Sequence, residues 1–424
     1  MKRISYPSRQ EWPSLCERPQ IELDFLEGSV KNVLNRVRTS GDAALRELTN
    51  QFDKVSLDKI HVTQQEIDRA IATIPSSLKT AILAASKNIE VFHAAQKRTV
   101  DKIETMPGVT CWRKATPIQK VGIYIPGGTA PLFSTVLMLA VPARIAGCEE
   151  VVLCSPPGKD GTIHPAILFA AHLTGVKKIY KVGGAQAIAA MAFGTETIPA
   201  VSKIFGPGNQ YVTKAKQLIS QEGIAIDMPA GPSEVLIIAD DTADPAFVAA
   251  DLLSQAEHGV DSQVVLVTTT DQLIDPILVQ IEKQLEILPR KDLAQEALTN
   301  SLVITFKEQN ELIDFVNEFA PEHLIINTSD CSQLVDRIVN AGSIFLGPYS
   351  PEAAGDYASG TNHTLPTNGY AKAFGGVSLE SFSKYITVQQ ITKAGLEVLG
   401  SIVEEMAEAE QLQGHANAIK VRRS

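Results

Sequence analysis

Cysteine pairs, long apolar runs and an excess of positive charge are all missing from this chain of 424 residues, and each absence excludes a class. The five cysteines, Cys16, Cys111, Cys148, Cys154 and Cys331, are odd in number and scattered without a CxxC spacing, which argues against a disulfide frame or a thiolate zinc site. Buried reduced thiols are the expectation. The longest apolar candidate, Phe133 to Ala146, is too short to span a bilayer and contains Arg144. The opening MKRISYPSRQEW has basic residues but no apolar run behind them, so no secretory signal is expected and the chain reads as cytoplasmic. With 38 Lys and Arg against 48 Asp and Glu, the net charge of -10 gives no general attraction for nucleic acid or an anionic membrane.

The length exceeds what one hydrophobic core usually organises, so two or three domains are expected. Residues 21–98 carry a helical pattern. From Lys120 the texture changes to short Val- and Ile-rich runs between helical stretches, at 121–125, 151–154, 178–182 and 202–205. The rhythm restarts after Pro229-Ala230-Gly231-Pro232 with 234–239, 263–267, 302–306, 324–327 and 343–346. This βα alternation predicts an α/β fold with two doubly wound, Rossmann-like parallel sheets, a helical N-terminal segment and a C-terminal helical tail beginning near Val388. Between Ser350 and Gly376 the periodicity stops, and an irregular segment that long is usually functional or disordered.

Four histidines in the second half stand beside carboxylates or amides. A helix from Asp244 (N-cap) through Pro245 to Gly259 aligns Gln255 with Val248 and His258 with Phe247, pointing both polar groups inward. They could share an ion or merely cap a loop by hydrogen bonds; taken alone, the second is commoner. Glu322-His323 follows Pro321 at a helix-to-strand junction, where an irregular turn can aim both at one cleft for proton transfer. A salt pair at a helix end is the plainer alternative. Asp356 and His363 lie in the irregular segment, and Gly414 can end the last helix and turn His415 back toward Glu410. Glycine turns follow strands at IPGGT, VGGAQ and FGPGN, each opening a helix whose amides could meet phosphates. None is GxGxxG, so each alone is weak, but three at strand carboxyl ends suggest a nucleotide crevice.

Together these segments resemble the histidinol dehydrogenase family over nearly the whole chain. VGIYIPGGTAPLFSTVLMLAVPARIAGC, KIFGPGNQYVTKAK, IDMPAGPSEVLIIAD, DLLSQAEHG, APEHL, GPYSPEAAGDYASGTNHTLPT and GVSLESFSK carry the resemblance. It implies NAD-linked oxidation of L-histidinol to L-histidine through the aldehyde, with one zinc per subunit of a homodimer. Zinc ligands would be Gln255, His258, Asp356 and, from the partner subunit, His415. The proton-transfer pair would be Glu322 and His323. Substrate contacts would be Ser233, Gln255, His258, His323, Asp356, His363, Glu410 and His415; nucleotide contacts would be Tyr124, Gln186 and Asn209. The implied division is an arm at 1–20, a first α/β domain from 21–119 plus 234–377, a nucleotide-binding domain at 120–233 and a docking tail at 378–424.

Three rival readings remain at this stage. A zinc hydrolase would use Glu322 and a metal-bound water but leaves the glycine turns idle. A noncatalytic nucleotide-binding protein leaves the histidines unexplained. Within the dehydrogenase reading, a thiolate of Cys111 or Cys148 could capture the aldehyde, though neither has a basic neighbour in sequence to lower its pKa.

Overall fold

A computed structural model describes residues 1–19, 24–127, 130–229 and 231–424. Gly128 and Thr129 of the IPGGT turn, Ala230 of the Pro229–Pro232 break, and the 20/21 boundary of the arm lie outside the described residues.

Two parallel sheets organise the chain. The larger has six strands in the order Lys2–Ser5, Leu302–Thr305, Gln263–Thr268, Glu234–Ala239, His323–Asn327 and Ser343–Leu346, every neighbour parallel. The smaller has five, Lys178–Lys181, Glu150–Ser155, Lys120–Tyr124, Lys203–Phe205 and Ala225–Ile226, again all parallel. In both, the strands bury apolar side chains on two faces, as parallel sheets covered by crossover helices require. Thus Val235, Ile237 and Ala239 enter one core while Leu236 and Ile238 enter the opposite one. Val121 and Ile123 likewise separate from Tyr124. The expected fold class is the one observed.

Three features differ from expectation. The helices Asp24–Phe52, Gln64–Thr73 and Ser76–Ala94 pack chiefly on helices of the five-stranded sheet, and the third reaches residues 234–377 through Asn88 on the Ala358 carbonyl oxygen and His93 beside Asn362. The supposed arm contributes Lys2–Ser5 as an edge strand of the six-stranded sheet. The tail does not begin as a helix at Val388: Ser383–Ile391 is a strand, antiparallel to Val109–Pro117, which also pairs with Ile103–Met106. Its β-branched and aromatic residues (Tyr385, Ile386, Thr387, Val388, Ile391) suit that pairing. Beyond it, helices Lys393–Ala409 and Gln413–Arg423 pack on each other. Gly414 lies inside the second helix; the turn is made at Gln411, with φ +60°.

Candidate active site

The glycine turns of the smaller sheet work as a set. A cavity of about 1130 Å³ opens at the carboxyl ends of its strands, lined by Tyr124, Gly127, Ser155, Gly184, Gln186 and Asn209 among others. The three expected nucleotide residues therefore line one cavity. Gly206 has φ +121°, and a Cβ there would lie 2.1 Å from the Tyr124 carbonyl oxygen, so the turn admits only glycine. Asn209 caps helix Gln210–Ser220 by accepting from the amides of Tyr211 (3.1 Å) and Val212 (3.2 Å). The Tyr124 hydroxyl accepts from the Gly184 amide at 3.0 Å, and burial pushes its pKa up to about 12, so it stays a neutral phenol.

The expected acid–base residues, Glu322 and His323, lie at the other sheet, at the amino ends of its strands. Helix Gln309–Phe319 stops at Ala320, in the left-handed conformation, and Pro321 turns the chain so that Glu322 and His323 enter the strand together. Neighbours in a regular strand diverge; here Glu322 Oε2 is 3.6 Å from His323 Nδ1. Both are buried. Glu234 heads the adjacent strand: its amide donates to Glu322 Oε2 (2.9 Å), and its carbonyl oxygen lies 3.2 Å from His323 Nδ1. A carbonyl only accepts, so Nδ1 carries the hydrogen and Nε2 faces Asp356 Oδ1 at 3.5 Å.

Burial raises Glu322 to about 8, with Glu234 and Asp356 adding repulsion against His323's opposing pull. Burial disfavours charge on His323, but Glu352, Glu322 and Asp356 outweigh it and hold its pKa well above the ordinary value. Burial likewise pushes Asp356 up, and the His323 ring prevails to keep it below the usual carboxylate range. The cluster can thus keep and pass protons near neutral pH.

Asp356 comes from helix Glu352–Tyr357, six residues inside the stretch expected to be irregular. It brings a residue that sequence reasoning missed: Glu352, one turn earlier on the same face and 1% exposed. The only sequence signal for it was the four-residue spacing to Asp356. Donor atoms of His258, Glu352 and Asp356 all lie within 4.8 Å of one another. Glu352 Oε2 is buried without a hydrogen-bond partner. Gln255, fully buried on helix Pro245–Ala256, has its side-chain amide 2.5 Å from Glu352 Oε1 and 2.7 Å from the Glu234 backbone nitrogen; both contacts are hydrogen bonds only with the amide nitrogen on the carboxylate and the oxygen on the Glu234 N–H. The opposite amide orientation sets its oxygen against the carboxylate, a contact that a cation or a proton reconciles. The orphaned oxygen and the mixed N/O donors fit a zinc-class ion.

Helix Pro245–Ala256 starts at its Asp244 cap as expected, but it ends before His258. His258 therefore sits in the following turn, exposed in the single chain but with a ring nitrogen directed at Glu352 and Asp356, while its supposed wheel partner Phe247 is 42% exposed. His363 has both ring nitrogens engaged, Nδ1 with the Asp356 carbonyl oxygen (2.8 Å) and Nε2 with Thr135 Oγ1 (3.0 Å). Burial lowers its pKa, so it is neutral. Thr135 belongs to helix Phe133–Ala146, which starts just after cavity-lining Ala130 and Pro131, so one stretch of chain runs from the cavity rim to the cluster. Ser233 immediately precedes Glu234, half-buried at the same strand end. Glu410 and His415 are exposed at the turn of the C-terminal hairpin, outside the His258, Glu352 and Asp356 group. The five cysteines are free thiols, and burial pushes Cys148 up to about 11, against a thiolate role. No helix among the described residues is long and apolar enough to cross a membrane.

A buried imidazole–carboxylate cluster beside a large cavity at the carboxyl edge of a parallel sheet defines an α/β enzyme. A family model described as histidinol dehydrogenase matches residues 16–423. The chain is 58% identical over 422 residues to histidinol dehydrogenase of Bacteroides fragilis, covering 100% of this chain and 99% of that protein. It is 52% identical to that of Salmonella typhimurium, covering 98% and 95%. The crystal structure of histidinol dehydrogenase from Elizabethkingia anophelis superposes with a TM-score of 0.98 at 54% identity, covering 100% and 98%. The chain belongs to the histidinol dehydrogenase family, and is an oxidoreductase of histidine biosynthesis. A hydrolase or noncatalytic reading is set aside.

Proposed function

We propose that this protein oxidises L-histidinol to L-histidine in two successive NAD-linked steps through L-histidinaldehyde. The observation that carries the reading is the buried Glu322–His323 pair, with His323 Nδ1 anchored on a carbonyl and Nε2 free of any hydrogen bond. In its neutral form that nitrogen is the base that takes the hydroxyl proton of the alcohol. Glu322, as carboxylate, takes a proton from the water that hydrates the aldehyde while the protonated His323 returns its proton to the aldehyde oxygen; His323, neutral again, then takes a hydroxyl proton of the hydrate in the second oxidation. NAD, when bound, supplies the hydride acceptor in both steps, and the residues that would hold it are Tyr124, Gln186 and Asn209 on the cavity wall.

Gln255, His258 and Asp356, with Glu352 beside them, would hold zinc, whose contribution when bound is to orient the imidazole and amine of the substrate. Ser233, and His363 after exchanging its Thr135 partner, would contact substrate at the same strand ends. The fourth ligand, His415, and Glu410 would come from a second copy in a homodimer. An exposed apolar stripe at Val398, Ile402 and Met406 of the hairpin helix supports docking of that kind. Free cysteines agree with a cytoplasmic location. Within the chain, residues 24–226 with the smaller sheet form the nucleotide unit, and the six-stranded sheet carries the acid–base cluster.

Mixing the protein with zinc, NAD and histidinol tests the reading: absorbance at the NADH band should rise to about two equivalents per histidinol consumed. Product formation without NADH, or none at all, overturns it.

A further inference from the structure

One buried charge pair, Arg18 with Glu234, stands directly behind Glu322 and His323. Arg18 and Glu234 are 8% and 1% exposed and lie 216 residues apart in sequence. Arg18 grips the carboxylate with two prongs, Nε to Oε2 at 2.7 Å and Nη2 to Oε1 at 3.1 Å. Nη2 also reaches the Phe319 carbonyl oxygen (2.6 Å) and Nη1 the Cys16 carbonyl oxygen (2.7 Å), and the guanidinium carbon lies 3.5 Å from the Phe319 ring centroid. No other cation is planar and forked in this way; lysine would leave several of these acceptors bare.

Glu234 in turn touches both acid–base residues through three different groups. Its Oε1 accepts from the Glu322 amide (3.2 Å), its amide donates to Glu322 Oε2 (2.9 Å), and its carbonyl oxygen takes the His323 Nδ1 hydrogen (3.2 Å). The first two bonds form a reciprocal clamp that fixes the Glu322 backbone and its carboxylate together. The third fixes the His323 tautomer, and with it the nitrogen left to act as base. A buried ion pair often adds nothing to stability over a well-packed apolar pair, so holding the strands together does not by itself call for charge here. Direction does.

We infer that Glu234, locked by Arg18, is the positioning residue of the acid–base pair, so that the segment ahead of residue 20 is part of the catalytic machinery. The inference rests on the proposed roles of Glu322 and His323. Without the Arg18 fork the Glu234 carboxylate can rotate, the clamp on Glu322 opens, and a displacement near 1 Å at the reacting groups costs about 10²-fold in rate.

The test uses full-length, zinc-loaded protein, with kcat and KM measured separately for histidinol and histidinaldehyde and melting temperature recorded alongside. Arg18→Met should lower kcat for the aldehyde by about 10²-fold while KM for NAD and substrate stays within about twofold. Arg18→Lys should remain low, whereas added guanidinium ion should restore part of the Arg18→Met rate. Glu234→Gln, which keeps the backbone groups and one acceptor oxygen, should lose about 10-fold and decides the matter if Arg18→Met does not fold. A fallen melting temperature with unchanged kcat per folded molecule in these variants would reduce the pair to a structural staple and overturn the inference. Failure of the unmodified protein to make NADH from histidinol would instead strike the functional reading itself.

Discussion

His323 Nε2 lies 3.5 Å from Asp356 Oδ1, buried and without a hydrogen bond, while Nδ1 of the same ring is committed to the Glu234 carbonyl oxygen. The ring thus has one anchored edge and one reactive edge. His323→Asn keeps a polar side chain but removes the distal nitrogen. Its kcat should fall by about 10²- to 10⁴-fold in both oxidations, with KM for NAD near that of the unmodified protein. Stopped-flow NADH formation from each substrate checks this; a loss confined to one step would contradict a base shared by both.

Glu322 has the narrower role. Glu322→Gln preserves the clamp from the Glu234 amide, since a glutamine oxygen also accepts, but it cannot take a proton from water. Histidinaldehyde oxidation should drop by about 10²-fold or more, and histidinol oxidation by less. Equal losses in the two half-reactions would refute the division of labour.

How much of this was legible in the chain follows from the range of the interactions involved. Two buried parallel sheets announce themselves locally, because Val235 through Ala239 and Val121 through Ile125 fill two cores with unbroken apolar runs. The Pro321 turn was equally local. Glu352–Tyr357 was not, since six residues give no helical period to read. Nor was strand Ser383–Ile391, whose partner lies more than 260 residues back and whose two faces are both largely exposed. That the acid–base pair sits at the amino edge of one sheet and the cavity at the carboxyl edge of the other is set by packing between units, through contacts such as His363 with Thr135. Single-strand patterns carry no trace of it.

Burial lifts Glu322 to about 8. A water-activating carboxylate works only when ionised, so aldehyde oxidation should rise with pH through about 8, and Glu322→Gln should flatten that limb. The sign of the stability effect is opposite. A folded-state pKa above the ordinary 4.5 gives stabilisation that is complete below the unfolded value and is lost as pH climbs through 8. Melting temperatures over about pH 6 to 9 should therefore decline less steeply for Glu322→Gln than for the unmodified protein.

Zinc retention separates the His258 group from the acid–base pair. His258→Asn removes one nitrogen donor from the set with Glu352 and Asp356 and should weaken zinc binding by about 10- to 100-fold or more, lowering activity in proportion to metal lost. Glu352→Gln should also lose metal, because the orphaned carboxylate oxygen has no other partner to explain it. Zinc content by elemental analysis after dialysis reads both. Full activity in metal-stripped protein would remove the ion from the reaction.

Asn209 holds two tasks that one pair of variants can pull apart. It caps helix Gln210–Ser220 with bonds of 3.1 and 3.2 Å, and it lines the cavity beside Tyr124 and Gln186. Asn209→Ala removes both and should cost about 1 kcal/mol of stability along with a raised KM for NAD. Aspartate is as good a cap as asparagine, and its charge also favours the positive end of the helix, so Asn209→Asp should melt no lower than the unmodified protein. The same charge repels the anionic phosphates of a dinucleotide in the cavity, so its KM for NAD should rise at least as far as that of the alanine variant. Stability retained with NAD affinity lost would assign the cavity to the nucleotide. Equal NAD affinity in all three proteins would show that the cofactor binds elsewhere.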